Sequence, residues 1–100
     1  MKIYSLLLLM LLSSLSAAHT PLFDCFANDE GGITCEGGFS DGGSAQGVEI
    51  RLLDAQGKVL DQGKLDEAGS ISFERPKGEF SVVCSADSEH SISILGYDIY

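Results

Sequence analysis

Two histidines, three cysteines and a surplus of carboxylates are the side chains of this sequence whose types and spacing suggest chemistry. His19 follows Ser16-Ala17-Ala18, where small residues at 16 and 18 form an A-x-A-like cleavage site behind an apolar run. If the chain is cut there, His19 becomes the first residue and carries a free α-amine. A terminal histidine chelates a metal ion through that amine and its ring Nδ1. The amine titrates near 7.7–8.0 in about the unperturbed case, so a metal displaces its proton at little cost around neutral pH. Pro21 has no N–H, so backbone amides cannot extend the chelate and further ligands must come from elsewhere in the fold. His90 is the second imidazole, with Asp87 or Glu89 beside it. An amine, two imidazoles and a carboxylate suit Ni(II), Co(II) or Cu(II). The bland alternative is a pair of unrelated surface histidines, the second solvated in a polar turn.

Other chemistries fit the residues less well. A blue-copper loop built on Cys84 and His90 wants a second upstream histidine and a methionine, and no Met follows residue 18. Structural zinc lacks a C-x₂-C pair. Gly42-Gly43-Ser44-Ala45-Gln46-Gly47 departs by one position from the Gly-x-Ser-x-Gly elbow and lacks the strand-to-helix setting that motif needs. Asp54, Asp61, Asp66 and Glu67 fall at turns or strand ends, where carboxylates cap and solvate. No phosphate loop, EF-hand pattern or glycosylation sequon is present. No catalytic residue is expected, and the chain reads as a non-enzyme.

The elements that must position these groups begin after residue 18. Met1-Lys2, the leucine-rich run from Ile3 to Leu12 and the small residues Ser13–Ala18 read as a signal peptide, residues 1–18. Its apolar core is short for a membrane span, which takes about 20 residues, so no membrane insertion is expected after cleavage. An exported product follows, periplasmic or secreted. Without Lys2, five basic residues face 15 acidic ones, a formal charge of −10. That sign excludes a nucleic-acid binder that works by neutralising phosphates. It also argues against docking on anionic lipid.

Beyond residue 18 helical periodicity is absent and period-2 alternation recurs. Val48, Ile50 and Leu52 share one face, as do Ile71 and Phe73, then Phe80, Val82 and Cys84, and finally Ile92 and Ile94. The turns Asp54–Gly57, Leu65–Gly69 and Arg75–Gly78 separate them, at a spacing that suits an antiparallel meander or small sandwich. Earlier, Leu22–Phe26 and Ile33–Glu36 read as a hairpin around residues 28–32. If its loop centres on Glu30, opposed residue numbers sum to 60 and Cys25 faces Cys35. Opposed antiparallel residues lie about 4.5–5.5 Å apart at Cα, within disulfide range. Cys84 then reads as a small buried apolar residue. Residues 19–46 form the hairpin and a Gly-rich connection, residues 47–100 the sandwich core, and the two make one domain.

The run Gly-Val-Glu-Ile-Arg-Leu-Leu-Asp-Ala-Gln-Gly-Lys-Val-Leu from Gly47, with Asp-Glu-Ala-Gly-Ser-Ile-Ser-Phe and Pro-Lys-Gly-Glu-Phe-Ser-Val-Val after it, resembles the transthyretin-like and carboxypeptidase-regulatory-like β-sandwich modules. Within that group it looks most like small exported proteins associated with bacterial nickel and cobalt uptake systems. Thr-Cys-Glu-Gly-Gly-Phe-Ser-Asp-Gly, from Thr34, is similar to the front end of some of these forms. The resemblance implies an all-β, Ig/transthyretin-like sandwich of about seven strands with the disulfide-linked hairpin ahead of it. It also implies a metal-uptake accessory whose partner is a membrane metal transporter or another periplasmic protein. In ligand types alone, His19 and His90 are similar to the histidine-brace sites of small periplasmic copper carriers. The competing expectation is a structural or protein-interaction module with no metal site. In that reading the tail Gly96–Tyr100 is either an adhesive edge or a last strand with its aromatics tucked inward.

Overall fold

The structure is a computed structural model that describes residues 19–87 and 89–100; the expected signal peptide, residues 1–18, lies outside the described residues. Seven strands follow one another: β1 (Pro21–Ala27), β2 (Gly32–Phe39), β3 (Glu49–Asp54), β4 (Val59–Lys64), β5 (Ser70–Glu74), β6 (Phe80–Ser85) and β7 (Ser91–Leu95). A short 3-10 turn, Gly96–Asp98, comes after them. They form two wholly antiparallel sheets, β1-β2-β5 and β4-β3-β6-β7, packed as a small β-sandwich.

Alternation explains which faces meet. Cys25, Ile33, Cys35 and Phe73 come inward from the first sheet, and Ile50, Leu52, Phe80, Val82 and Cys84 from the second. Ile33, Ile50, Leu52 and Val82 are fully buried, and each contributes roughly 1.5–3 kcal/mol by leaving water. Ala45, Leu65 and Ile99 come from connections and the tail and join the same core. No polar side chain is buried among the described residues.

The hairpin pairs as its arithmetic predicts. Every β1–β2 partner sums to 60, from Pro21 opposite Phe39 to Ala27 opposite Ile33, and the Cys25–Cys35 disulfide joins Cα atoms 4.0 Å apart. Yet the hairpin is not an addition ahead of a complete sandwich. It supplies two of the three strands of one sheet, because β5 leaves β4 and pairs with β2 on the opposite layer. That crossing depends on a close approach of backbones. Gly37 N–H donates to Gly69 O at 2.8 Å, and a Cβ on Gly69 would stand 2.5 Å from Gly37 O.

The tail departs from one of the two expectations for it, the last strand with its aromatics tucked inward. It is a 3-10 turn and not a strand, with Tyr97 and Tyr100 76% and 87% exposed while Ile99 is buried. The Arg75 guanidinium holds it by donating to Gly96 O at 3.0 Å and to Ile99 O at 3.2 Å. Ala27 N–H donates to Tyr100 O at 2.8 Å, so the tail reaches back to the first sheet.

The two glycine turns predict a graded effect. Gly57 and Gly69 both have φ near +80°, at +84° and +75°, but only Gly69 is crowded. Gly57→Ala should cost about 1 kcal/mol for the left-handed backbone alone, and Gly69→Ala at least about 2 kcal/mol, read from urea unfolding. Replacing Cys25 and Cys35 together by alanine should cost roughly 3 kcal/mol. In a domain of this size that lowers Tm by roughly 12–24 °C.

Candidate functional site

The sandwich has two ends. One gathers the start of β1, the 40–48 connection, the 65–69 turn and the 86–90 turn, since Glu49 pairs with both Lys64 and Ser85 while Gly37 bonds Gly69. Both histidines stand at this end. His19 precedes β1 and His90 precedes β7, and these two edge strands face each other across the sandwich.

Each histidine stands just ahead of its strand with its ring more than half exposed, at 59% for His19 and 55% for His90, on the parity of the strand's inner face. The β1–β2 ladder continues one step past Pro21, where Ser40 N–H donates to Thr20 O at 2.9 Å and Thr20 N–H to Ser40 Oγ at 2.9 Å. His19 therefore keeps the parity of Phe23 and Cys25. Likewise Ala86 N–H donates to His90 O at 3.0 Å, and His90 keeps the parity of Ile92 and Ile94.

Each ring is then fixed by its own carboxylate. His19 stacks on Phe39 with ring centroids 4.2 Å apart, and its Nδ1 donates to Asp41 Oδ2 at 2.6 Å. His90 Nδ1 lies 2.8 Å from both oxygens of Asp87. A carboxylate only accepts, so Nδ1 carries a proton in both rings, and in the neutral imidazole Nε2 is the nitrogen with the free lone pair. Asp87 also accepts the backbone N–H groups of Glu89 and His90, both at 2.8 Å, and so shapes the turn that presents the ring. Glu89 is exposed.

These contacts pull both carboxyls below the usual aspartate range. For Asp41 the larger cause is the hydrogen bond from His19, followed by that from Gly43 N–H. For Asp87 it is the Glu89 N–H, followed by the His90 ring. Cys84 sits apart in the core as expected, and burial pushes its thiol up.

Of the expected ligands, the structure joins His90 to Asp87 and gives His19 a different carboxylate, Asp41. Among the described residues, no group of three or more His, Cys, Asp or Glu side chains forms a ready metal cluster. A chelate through the α-amine and Nδ1 of His19 has to displace Asp41, whereas coordination through Nε2 leaves Asp41 in place. The number sum of 60 points toward Asp41, but the strands end at Pro21 and Phe39 and the chain turns at Ser40-Asp41, so the contact is made by the turn and not by strand pairing.

Compared with protein-family models, curated proteins and solved structures, the chain matches none.

The lowered carboxyls set a pH dependence. A carboxyl whose folded pKa lies below its unfolded one adds stability that is fully present above the unfolded value, near 3.9 in about the free side chain. That stability is lost as the pH falls through the folded value. Asparagine keeps the accepting oxygen without the charge, so Asp41→Asn and Asp87→Asn should melt below the parent at pH 6. The gap should close by about pH 3, as followed by thermal unfolding across that range.

Proposed function

We propose that this chain is an exported, non-enzymatic protein that handles a divalent transition metal, Ni(II), Co(II) or Cu(II), at the end of the sandwich that carries His19 and His90. The observation that supports this most is the shared geometry of the two rings. Both take inward parity at the mouths of strands that face each other, and both turn Nδ1 to a carboxylate. A histidine that donates Nδ1–H to a carboxylate presents a more basic, oriented Nε2 to a metal, the arrangement usual around metal-bound histidines. Asp41 and Asp87 act here as orienting groups. With both rings bound through Nε2, the exposed Glu89 completes the ligand set; the α-amine released by cleavage before His19 enters only the alternative chelate through Nδ1, which displaces Asp41. A formal charge of −10 on the processed chain favours encounter with a cation, an effect that salt screens.

Export is supported by the signal-like residues 1–18 and by a disulfide in the core, which persists in an oxidising compartment, the periplasm or the medium. No helix among the described residues is long and apolar enough to cross a membrane. Kinship with the transthyretin-like modules, and with accessories of nickel and cobalt uptake that serve a membrane transporter, belongs to the same proposal. The two-sheet architecture agrees with it.

A structural or protein-interaction module is the second reading, and the exposed Tyr97 and Tyr100 favour it. Calorimetric titration separates the two. For a chain whose first residue is His19, verified by N-terminal sequencing, Cu(II) or Ni(II) should bind one to one. His19→Ala and His90→Ala should each weaken binding at least about tenfold, and Asp41→Asn by about tenfold or more. Parent-like binding by both histidine variants, or no binding by the parent, leaves the module reading in its place.

A further inference from the structure

Four strands lie at sheet edges, and three of them are blunted in the usual ways. β1 carries Pro21 and Asp24, and its far end is occupied by Tyr100. β4 carries Asp61 and Lys64, with a register shift opposite Leu52 and Leu53. β5 is five residues long, holds Glu74 and runs directly into Arg75-Pro76. Lysine and other charges, proline, bulges and brevity all discourage a second chain from pairing along an edge.

β7 has none of these beyond brevity. Ser91-Ile92-Ser93-Ile94-Leu95 contains no charge, proline or glycine, and pairs with β6 in unbroken register. Among the described residues no other backbone group bonds to it. At its end Leu95, 46% exposed, and Tyr97 join Phe80 and Ser81 of β6, with Arg75 and Lys77, in lining a cavity of about 690 Å³. The unpaired ladder supplies the main-chain hydrogen bonds on which recognition by strand addition rests.

Charge selects the occupant. Asp87 and Glu89 precede the strand and Asp98 follows it, all exposed. Antiparallel pairing of two copies would set Asp87 and Glu89 of one against Asp98 of the other at both ends, on chains that already carry a formal −9. A foreign strand with basic ends meets carboxylates at both. We propose that the outer edge of β7 is a strand-addition site for an extended segment of another protein, with alternating β-branched residues in its middle and lysine or arginine at each end. It needs neither histidine and no metal, but it shares Asp87 and Glu89 with the metal reading, so it is tested on the metal-free chain.

The test uses the folded, disulfide-bonded chain, isotopically labelled, and a synthetic peptide Lys-Lys-Val-Thr-Val-Thr-Val-Lys-Lys. Amide shifts should centre on residues 91–95, and hydrogen exchange there should slow at least tenfold. The same peptide with glutamate for every lysine should bind at least tenfold more weakly. Ser93→Lys, which puts a charge on the exposed face of the edge, should weaken the basic peptide at least tenfold. Asp98→Lys should narrow the difference between the two peptides, and it serves alone if the Ser93 variant does not fold. Shifts centred elsewhere, equal binding of both peptides, or no binding overturn the proposal. So does dimerisation of the chain through residues 91–95, which would make a second copy the occupant.

Discussion

The antiparallel pairing of β1 with β2 is the constraint from which most of this structure follows. Once residues are opposed so that their numbers sum to 60, Cys25 and Cys35 have to meet on the inner face, and His19 is brought to the turn after β2 that carries Asp41. A slip of one residue would turn Cys35 and Ile33 to solvent, because neighbouring side chains on a strand point to opposite faces. The disulfide prevents that slip covalently. The hairpin so locked is the template against which β5 pairs, and β5 ties the two halves of the sequence into one core.

A second economy runs through the turns. Asn28, Asp41, Asp54, Asp66 and Asp87 each accept the backbone N–H two residues ahead, from Glu30, Gly43, Gln56, Ala68 and Glu89. Four of the five take a second N–H as well, those of Gly32, Lys58, Ser70 and His90. A side-chain oxygen that replaces a backbone acceptor fixes a tight turn locally, without help from the core. Part of the acidic surplus is thus turn architecture. At Asp41 and Asp87 the same carboxylates also hold the two imidazoles, so turn formation and ring orientation are linked there.

Much of this could be read in advance. The inward sets Ile50–Leu52, Phe80–Val82–Cys84 and Ile92–Ile94 follow from alternation, and the Asp-x-x-Gly turns from the wish of glycine for positive φ behind a capping aspartate. The Cys25–Cys35 bond followed from register arithmetic. What escaped was non-local. Nothing near Gly69 says that β5 should abandon β4 for β2, since that preference arises from the whole buried area of two sheets. The path of the tail was non-local too: Arg75, 21 and 24 residues from its two acceptors, and Ala27 N–H, bonded to Tyr100 O, hold it with Ile99 in and the tyrosines out.

The amino-acid order by itself therefore determined the strands, the turns, the disulfide and the sidedness of each side chain, because these depend on neighbours within a hairpin's reach. Tertiary structure alone decided which strands share a sheet, which edge stays open and which end of the molecule holds both histidines. Those outcomes depend on packing two curved surfaces face to face, where the free energy belongs to the layer as a whole and to no single stretch of chain.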